Sequence, residues 1–595
     1  MRKIVIKIVS QFLKTLVKNR DGEEILIAGV PLSTCQRLSL YRPTTKMGRR
    51  TLTAILAAAI SLIFLASFSL HLSRNFTAGS AASPPPPSLI AAAISNSLRG
   101  SLNLAVIELP VPYYHTESVL LPDWEVLVLP QSPLEAPTSA AAVGEAHLSC
   151  IFPGGLASPA RSIGDGAAFL CSVPLRTRRV RPFLSPLLSF GRDGAAGAFR
   201  QQPEMKRWSR LAYESISTAS DLIVFAKGIN KRQGVNLPAN DLRCVFLSGD
   251  GAIVASTGVT SSGQEVFRCG HPETAASRIS IDIGDSRRPI PSLAPYRPPP
   301  SPTAEAGDAP ARRRPGLICA CTMVNNVAKF LREWVTYHSA VGVDRFLLYD
   351  NGSDDGFELA VRDLNRDGFD VRTRFWPWTK TQEAGFSHAI VADGSECEWI
   401  AFIDVDEFIF KPDWVRSGKP NRGMIRSITK TNPKVGQVSI GCLDFGPSGQ
   451  LAHPCGGVTQ GYTCRRRAEE RHKSLVRPEA VATTLMNSIH HFDLGSGWKT
   501  RRLEQREAVV NHYKYQAWEE FRVKFRRRVS AYVVDWREPT NFGSRDRTLG
   551  LGFEPVEPNN WAERFCEVND TRVKDVTQRW FGKLEPRGGH RMAWE

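Results

Sequence analysis

The sequence predicts an α/β fold, with a doubly wound sheet over residues 317–595. A small mostly-β module and one N-terminal transmembrane helix are predicted to precede this domain. Three observations lead to the prediction. Apolar strands and amphipathic helices alternate from residue 317 in units of about 25 residues. Short β-type runs separated by Gly, Pro and Ser fill residues 101–286, and residues 51–72 contain no charged side chain.

The first 50 residues form a basic cytosolic tail in this interpretation. They hold 11 Lys and Arg against three acidic residues, so the tail contributes +8 of the chain's formal charge of +17. No compact nucleic-acid-reading module is recognisable, and we expect no nucleic-acid partner. Met47 stands directly ahead of the apolar run. Residues 1–46 are therefore either a basic segment that lies on anionic lipid or an upstream extension that is not translated.

Residues 51–72 are long enough to cross a bilayer, since a crossing needs about 20 residues at 1.5 Å each. Lys46, Arg49 and Arg50 precede the run, whereas only Arg74 follows closely. The positive-inside rule then predicts a type II membrane protein whose larger part is lumenal. The alternative is a cleaved secretory signal, which usually has a shorter apolar core nearer the start of the chain.

Two proline-rich stretches divide the lumenal part of the chain. Residues 73–100 are predicted to form an extended stem, and residues 287–316 a disordered linker. The mostly-β module, 101–286, lies between them. The lumen permits disulfides, and Cys150–Cys171 and Cys244–Cys269 are the expected local pairs.

The C-terminal domain is predicted to begin with a buried strand at 317–323 and an amphipathic helix. The apolar side chains from Val327 to Val335 fall on one face of that helix, Asn325 or Asn326 is suited to cap it, and Gly342 ends it. The elements expected next are strand 345–350, helix 357–364, strand 369–373, helix 381–393 and strand 398–404.

The last of these strands ends in two carboxylates, Asp404 and Asp406. Open α/β sheets bind ligands beyond the carboxyl ends of their strands, and carboxylate oxygens suit Mg²⁺ or Mn²⁺. A divalent ion there can bridge the phosphates of a nucleotide and stabilise a departing diphosphate. Two alternatives are an aspartate-nucleophile phosphatase and a structural pair of surface acids. A phosphatase would usually open its domain with this strand, whereas here three strand–helix units precede it.

A second acidic patch follows strand 345–350. It contains Asp350, Asp354 and Asp355, which can reach a ribose hydroxyl or a base edge at the sheet crevice. The alternative role for Asp354 or Asp355 is to cap the helix that starts after Gly356.

Several longer motifs carry a resemblance to a known family. They are the segment 319–355, the run AFIDVDEF, and the stretch from GPSGQ through RHKSLVRPEAV to NSIHHF, which together cover about Cys319 to Phe492. In combination they resemble glycosyltransferase family 92, and the chain is similar to plant members such as β-1,4-galactan synthases. The resemblance implies a GT-A-type nucleotide-sugar-binding domain, inverting transfer and β-galactosyl products.

The family resemblance also gives the acidic and basic residues expected roles. A downstream histidine often completes the metal shell in GT-A enzymes, so His491, with His490 as alternate, is expected to bind Mn²⁺ or Mg²⁺ together with Asp404 and Asp406. Lys473 and Arg477 belong to a basic stretch suited to a diphosphate. With Asp350, Asp354 and Asp355 they form the predicted UDP-sugar-binding set.

Inverting transfer needs a general base for the acceptor hydroxyl, and Asp444 and Glu469 are the candidates. Aromatic side chains can also stack on sugar faces, although core packing is the default role for any one of them. The candidates are Trp376, Trp378, Phe445, Tyr462 and Trp498.

The predicted reaction is transfer of a galactosyl group from UDP-galactose to a glycan acceptor such as a cell-wall galactan, in the Golgi lumen. The alternatives are another donor such as UDP-arabinose, or a catalytically silent glycan-binding protein. We expect module 101–286 to hold a polymeric acceptor, and the alternative is that it packs against the catalytic domain and stabilises it. The oligomeric state stays open, with a homodimer as one alternative.

Overall fold

The computed structural model describes residues 113–132, 134, 148–164, 166–190, 202–230, 235–284, 288–299, 316–488, 490–524, 557–586 and 589–595. All of them belong to one unit of the chain, residues 110–595. The predicted tail, transmembrane helix and stem lie outside the described residues. Within those ranges no helix is both long and apolar enough to cross a membrane.

The N-terminal part of the unit is built from strands, as the sequence predicts. Its first nine strands are β1 (Tyr113–Tyr114), β2 (Thr116–Leu120), β3 (Glu125–Pro130), β4 (Ser149–Phe152), β5 (Leu156–Pro159), β6 (Arg161–Ile163), β7 (Ala168–Ser172), β8 (Leu187–Ser189) and β9 (Lys206–Arg207). They pair in the orders β1-β8-β4-β5 and β6-β7-β3-β2-β9.

A third sheet of this part contains the next six strands. They are β10 (Leu211–Ser217), β11 (Leu222–Lys227), β12 (Leu242–Leu247), β13 (Ile253–Gly263), β14 (Val266–Cys269) and β15 (Arg278–Ile283). Their order among the described residues is β10-β11-β14-β13-β12-β15. Both predicted disulfides, Cys150–Cys171 and Cys244–Cys269, are confirmed.

The boundary predicted at residue 287 is wrong in one respect. Residues 288–299 do not form a free linker, because Ile290, Ala294 and Tyr296 are buried in the core of the β10–β15 sheet. The amide of Ala212 donates to the carbonyl of Pro291, and the amide of Leu293 donates back to Ala212. Apolar residues spaced among the prolines give this segment a buried face, which its composition alone conceals.

The C-terminal domain begins at residue 316 and alternates strands with helices at first. Its elements are β16 (Leu317–Val324), α1 (Ala328–Val341), β17 (Arg345–Asp350), α2 (Phe357–Arg366), β18 (Val371–Phe375), α3 (Gln382–Asp393), β19 (Cys397–Phe402), β20 (Glu407–Phe410), α4 (Gly423–Thr429), β21 (Val435–Phe445), α5 (Val458–Gly461), β22 (Cys464–Val476), β23 (Lys499–Arg502), β24 (Val509–His512), β25 (Val568–Asn569), α6 (Arg572–Phe581), β26 (Gly582–Leu584) and β27 (His590–Met592).

Strands β16 to β25 form one mixed sheet in the order β18-β17-β16-β19-β22-β21-β24-β20, with β23 paired to β21 and β25 to β22, whereas β26 and β27 pair with each other. Strands β16 to β19 are mutually parallel, β22 is antiparallel to β19 and β21, and β24 runs parallel to β21. The predicted α/β class and the five strand and helix positions after residue 342 are confirmed to within a few residues. The antiparallel second half of the sheet was not predicted.

The β-rich part and the C-terminal domain share a hydrophobic core. Tyr213 and Phe225 from the β10–β15 sheet lie edge-on to the buried ring of Trp376, with ring centroids 6.3 Å and 5.9 Å away. Trp208 stacks on Trp378 at 5.8 Å. These rings lie in one buried cluster with residues of β16, β17 and α3. The structure therefore favours the packing role for the β-rich module.

Candidate functional site

The predicted acidic pair lies in a tight turn after β19. The backbone amide of Asp404 donates to Oε2 of Glu407 at 2.8 Å, and the amide of Glu407 donates to the carbonyl of Asp404 at 3.0 Å. This reciprocal pair closes the turn and starts β20. Asp404, Asp406 and Glu407 are thereby held at the carboxyl end of β19, beside Thr322 near the end of β16, whose hydroxyl lies 3.5 Å from Asp404 Oδ1.

Asp404 faces the ammonium of Lys473, a buried residue of β22. The Lys473 Nζ lies 2.8 Å from Asp404 Oδ2 and 2.9 Å from Glu407 Oε1. The same ammonium donates to Nε2 of His490 at 2.7 Å, and that nitrogen lies 3.7 Å from Asp404 Oδ2. The side chain of Asp404 is 32% exposed, so this carboxylate opens to the solvent side of the cluster.

The register of the sheet brings His512 to Glu407 and to Asp444. Glu407 of β20 is the cross-strand partner of His512 in β24, and Asp444 of β21 is the partner of His512 on the other side. His512 Nε2 lies 3.6 Å from Asp406 Oδ2 and 3.7 Å from Glu407 Oε1. Two carboxylates therefore approach one ring nitrogen.

The other nitrogen of His512 is bonded to Asp444. A carboxylate can only accept, so the Nδ1–H of His512 donates to Asp444 Oδ1, at 2.9 Å. Lys514 donates to the second oxygen of Asp444 at 2.7 Å. Because Asp444 fixes a proton on Nδ1, Nε2 is the ring nitrogen that faces Asp406 and Glu407 and that a cation between them would bind.

Charge pairing sets the ionisation of this cluster. Burial alone would raise the pKa of Asp404, but the Lys473 ammonium outweighs it and holds that pKa well below its usual value. Burial is likewise outweighed at Asp406, whose pKa is lowered by Lys524 and His512. Both carboxylates are therefore ionised at neutral pH.

Burial determines the direction of the pKa shift at Glu407 and His490. It raises the pKa of Glu407, which Lys473 opposes only in part. Burial also lowers the pKa of His490 to about 3, with Lys473 acting in the same direction. His490 is therefore neutral and accepts the hydrogen bond from Lys473.

The donor set of the cluster fits a divalent cation. One ligand atom from each of Asp406, Glu407 and His512 lies within 4.8 Å of the other two. Glu407 Oε1 is buried without a hydrogen bond, since the nearby Lys473 ammonium has the distance of an ion pair but not the angle of a hydrogen bond. Two carboxylate oxygens and an oriented imidazole nitrogen suit Mn²⁺ and also Mg²⁺.

Comparison with known proteins identifies the family. The sequence profile described as glycosyltransferase family 92 matches residues 314–544. A family 92 glycosyltransferase protein of Arabidopsis thaliana is 36% identical over 520 residues, which cover 82% of this chain and 88% of the relative. One from Oryza sativa subsp. japonica is 40% identical over 413 residues, 65% of this chain and 68% of the relative. The chain belongs to glycosyltransferase family 92.

Solved structures resemble parts of this glycosyltransferase. A mannosyltransferase from Pyrobaculum calidifontis in complex with GDP-Man and Mn²⁺ is 12% identical and covers 36% of this chain and 61% of that chain, with a TM-score of 0.24. Glucosyl-3-phosphoglycerate synthase from Mycobacterium tuberculosis, in complex with Mn²⁺, UDP and glucosyl-3-phosphoglycerate, is 15% identical and covers 25% of this chain and 50% of that chain, with a TM-score of 0.15. At these scores neither structure supports a conclusion about the ligands of the family 92 chain.

The histidine expected to complete the metal site is placed elsewhere. Both ring nitrogens of His491 lie 3.2 Å from the amide nitrogen of Gln437, and the ring is perpendicular to that of His472 at 5.2 Å. His490, the alternate, reaches Asp404 through Lys473. The histidine beside Asp406 is His512. The reason is geometric: the chain turns at His490, where φ is +63°, and sends the next side chain away from the aspartates.

Both candidate bases are engaged by other side chains of the protein. Asp444 is 1% exposed, both of its oxygens are bonded, and its pKa is held well below the usual value by His512 and Lys514 despite its burial. Glu469 is paired with Arg502 and accepts from Gln505 at 3.4 Å. Asp444 instead orients His512.

The basic residues of the predicted diphosphate site separate in the structure. Lys473 belongs to the acidic cluster, whereas Arg477 lies at the opposite end of β19. Its guanidinium stands over the ring of Trp399, 4.6 Å from the centroid, and lies 3.5 Å from Glu398. Because β22 is antiparallel to β19, the four residues from Lys473 to Arg477, about 13 Å at 3.3 Å each, lead toward the start of β19 and away from the carboxyl end where Asp404 lies.

The acidic patch after β17 forms an ordered loop. Asp350 is buried and accepts from the amide and the hydroxyl of Ser353, and burial raises its pKa despite these bonds. Asp355 caps α1 by accepting from the amide of Ala328, so it caps the neighbouring helix rather than the one that follows it. Asp354 pairs with Arg161 of the β-rich module at 2.7 Å.

The predicted cap of α1 is therefore wrong, and the two asparagines have another role. Asn325 donates to the carbonyl of Asn351 at 2.8 Å, and Asn326 accepts from the amide of Asp354 at 2.8 Å. They tie the ends of β16 and β17 together. Of the aromatic candidates, four are buried in the core and thus unable to stack on a sugar: Trp376, Trp378, Phe445 and Tyr462.

Three side chains of the candidate site were missed from the sequence: Glu407, His512 and Lys524. The run Val509-Val510-Asn511-His512 has the form of a short apolar strand that ends in a ligand-type residue, the same signal that identified Asp404 and Asp406. Glu407 directly follows the acidic pair. Lys524, which pairs with Asp406, has no local signal, because only tertiary structure brings it to β19.

Proposed function

We propose that this family 92 glycosyltransferase transfers a sugar from a UDP-sugar to a glycan acceptor, with inversion at the anomeric carbon, and that Asp406, Glu407 and His512 hold the divalent cation it uses. One observation carries the proposal. These three ligand atoms converge at the carboxyl end of the central strand, and Asp444 orients the imidazole from behind. A convergent, oriented donor set at this edge of an open sheet is typical of a nucleotide site.

The chain's own residues would divide the work on the donor. When bound, the cation supplies a positive charge that offsets the negative charge developing on the leaving diphosphate. Lys473 lies beside Asp404, the most open carboxylate of the cluster, and Lys524 pairs with Asp406. Both ammonium groups are therefore close enough to the cluster to contact phosphate oxygens and to orient the diphosphate.

The loop after β17 is the proposed binding site for the nucleoside. Its position at the carboxyl end of a strand next to β16 is the position that nucleotides occupy in open α/β sheets. Asp350 and Asp355 are occupied within the protein, so Asp354, which is 38% exposed, is the carboxylate available to a ribose hydroxyl. Arg161 would then hold Asp354 in place.

The donor and the acceptor are proposed from the family resemblance alone. It supports β-galactosyl transfer from UDP-galactose to a cell-wall galactan, with Mn²⁺ as the cation. The charge asymmetry around residues 51–72 supports a Golgi membrane protein of type II topology, with the catalytic domain in the lumen. A homodimer is compatible with these proposals and is not required by them.

A donor panel tests the reaction. The full-length protein in detergent is incubated with UDP-galactose, UDP-arabinose and UDP-glucose, with Mn²⁺ or with EDTA, and with or without galactan oligomers. We expect Mn²⁺-dependent UDP release that increases with the oligomer and is greatest with UDP-galactose. Greater UDP release with UDP-arabinose would identify UDP-arabinose as the donor. Binding of the galactan oligomer without UDP release would identify a silent glycan-binding protein. Metal-dependent hydrolysis of phosphomonoesters would instead support the phosphatase.

A protease-protection experiment tests the topology. In sealed Golgi vesicles we expect the catalytic domain to survive added protease until detergent opens the vesicles. Digestion of the domain in intact vesicles would contradict the lumenal placement.

A further inference from the structure

A hairpin of the β-rich module contacts a loop of the catalytic domain that leads to His490. The hairpin joins β13 to β14, and Gln264 occupies its turn with φ of +53°. The loop comprises residues 483–488 and runs on to His490. The contact therefore joins two parts of the chain that the sequence treats as separate domains.

Gln264 makes a reciprocal pair of hydrogen bonds with the backbone of Asn487. Its Nε2 donates to the carbonyl of Asn487 at 2.6 Å, and its Oε1 accepts from the amide of Asn487 at 3.1 Å. The Gln264 side chain thus pairs with both backbone polar groups of Asn487, as a neighbouring strand would. Gln264 is itself held by Asn236, whose Oδ1 accepts from the backbone N–H of Gln264 at 3.0 Å.

The other side of the loop is attached to helix α3. The Asn487 side chain, 1% exposed, donates to the carbonyl of Glu383 at 2.9 Å and to the hydroxyl of Ser387 at 3.0 Å. The Ser387 hydroxyl donates to the carbonyl of Leu485 at 2.8 Å. The loop is held between the module hairpin and α3 at the same residue, Asn487.

The loop needs such support because its backbone is strained at both ends. Leu485 and His490 both have positive φ, +57° and +63°, a conformation that non-glycine residues adopt only when their surroundings impose it. At His490 this conformation turns the ring toward Lys473, whose ammonium donates to it at 2.7 Å and also pairs with Asp404.

We propose that Gln264 is a positioning residue of the transfer site: it holds Asn487, and through it the loop that places His490 against Lys473 and Asp404. The proposal deepens the proposed function and rests on it, because the site it supports is the one assigned to UDP and the cation. The β-rich module is then part of the active centre for every acceptor, long or short.

The test measures UDP binding by calorimetry in the presence of Mn²⁺, together with hydrogen exchange of the loop, on the full-length protein in detergent. Gln264→Ala should weaken UDP binding about tenfold, the scale at which loss of an outer-shell partner weakens a metal site. Exchange at the amides of residues 485–490 should rise, and the melting temperature should change little. Gln264→Glu can accept from Asn487 but cannot donate to it, so its affinity for UDP should lie between those of the wild type and Gln264→Ala. Ser256→Ala, at an exposed position of β13 in the same hairpin, is the matched control and should bind UDP like the wild type.

A double-mutant cycle separates positioning from a general structural effect. If Gln264 acts through His490, adding Gln264→Ala to a His490→Ala protein should weaken UDP binding no further. A full additional tenfold loss would overturn the proposal, and so would wild-type UDP binding by Gln264→Ala. A wild-type protein that binds no UDP with or without Mn²⁺ would overturn the proposed function as well, so the two failures are distinguishable.

Discussion

His512 donates its Nδ1–H to Asp444 and presents its other ring nitrogen to Asp406, at 2.9 Å and 3.6 Å respectively. A buried carboxylate behind a histidine fixes the tautomer that a metal ligand requires and raises the basicity of the free nitrogen. Two further carboxylates, Glu407 and Asp406, lie near the ring. Burial alone would lower the pKa of His512, but the negative charge of these carboxylates raises it. A dication at Nε2 would therefore replace a proton that this environment attracts.

Replacing Asp444 should weaken the cation site without touching a proposed ligand. We expect Asp444→Asn to lower the affinity for Mn²⁺ by about 10- to 100-fold, because the tautomer of His512 is no longer enforced by a charge. The measurement is the Mn²⁺ concentration that gives half-maximal UDP release. Asp363→Asn, which changes an aspartate on α2 that is paired with Arg366, is the control. An unchanged Mn²⁺ requirement in Asp444→Asn would contradict the orienting role.

Two histidine variants distinguish the sequence-based ligand from the structural one. We expect His512→Ala to abolish Mn²⁺-dependent activity, because it removes the imidazole nitrogen 3.6 Å from Asp406. His491→Ala should retain most of the activity, since His491 contacts Gln437 and His472. Activity and Mn²⁺ titration of both proteins decide between them. Loss of activity in His491→Ala, with activity retained in His512→Ala, would instead identify His491 as the ligand.

Asp406→Asn should remove activity while the protein stays folded. Loss of one carboxylate ligand removes an interaction that stabilises the transition state, and we expect turnover to fall by about 100- to 1,000-fold. Asp406 is paired with Lys524, so the substitution leaves that ammonium without its partner. Lys524 is 25% exposed and can turn to water, which limits the loss of stability, and denaturant unfolding checks that the variant is folded under the assay conditions. Wild-type turnover would place the cation elsewhere.

Glu333 should make stability depend on pH. It is buried in α1, accepts from the amides of Val458 and Thr459, and burial raises its pKa from 4.5 to about 7 despite these bonds. The folded protein thus binds more protons than the unfolded chain between these values, so this group's contribution is present below pH 4.5 and is lost as the pH rises through 7.

Glu333→Gln isolates that contribution. The free energy of unfolding of the wild type minus that of the variant should fall by roughly 3 kcal/mol from about pH 4 to about pH 8. Denaturant unfolding at several pH values measures the difference. A difference that does not change with pH would show that Glu333 ionises at its ordinary pKa.

The contact between the β-rich module and the catalytic domain should be essential for folding. Trp376 is fully buried between Tyr213 and Phe225 of the module and Tyr349 of β17. We expect Trp376→Ala to cost about 3–5 kcal/mol of unfolding free energy, measured in denaturant. Leu451→Ala, at a side chain that is 81% exposed, is the control and should change it by under about 0.5 kcal/mol.

Deleting residues 101–286 should then prevent folding rather than reduce use of long acceptors only. The deletion uncovers Trp376 and Trp378 and removes Gln264, so we expect no soluble, active protein with any acceptor. A truncated chain that folds and still elongates short acceptors would favour the acceptor-holding role for the module.

Features set by nearby residues were predictable from the sequence. The strand and helix periods after Leu317, the stop at Gly342 and the position of Asp404 and Asp406 after an apolar strand all depend on side chains within one element and its flanks. The same is true of Cys150–Cys171 and Cys244–Cys269, whose partners are only 21 and 25 residues apart in the chain. The motifs between Cys319 and Phe492 were sufficient for the family.

Only the tertiary structure decided which side chains meet. His512 joins Asp406 and Asp444 because β24 inserts between β20 and β21, and a register shift of one residue would turn it to the other face. Whether His490 or His491 faces the aspartates depends on one positive φ, which no periodicity records. The association of Gln264 with Asn487, and of Tyr213 with Trp376, requires contacts between segments distant in sequence. Local patterns determine the elements, whereas long-range packing and register determine the site.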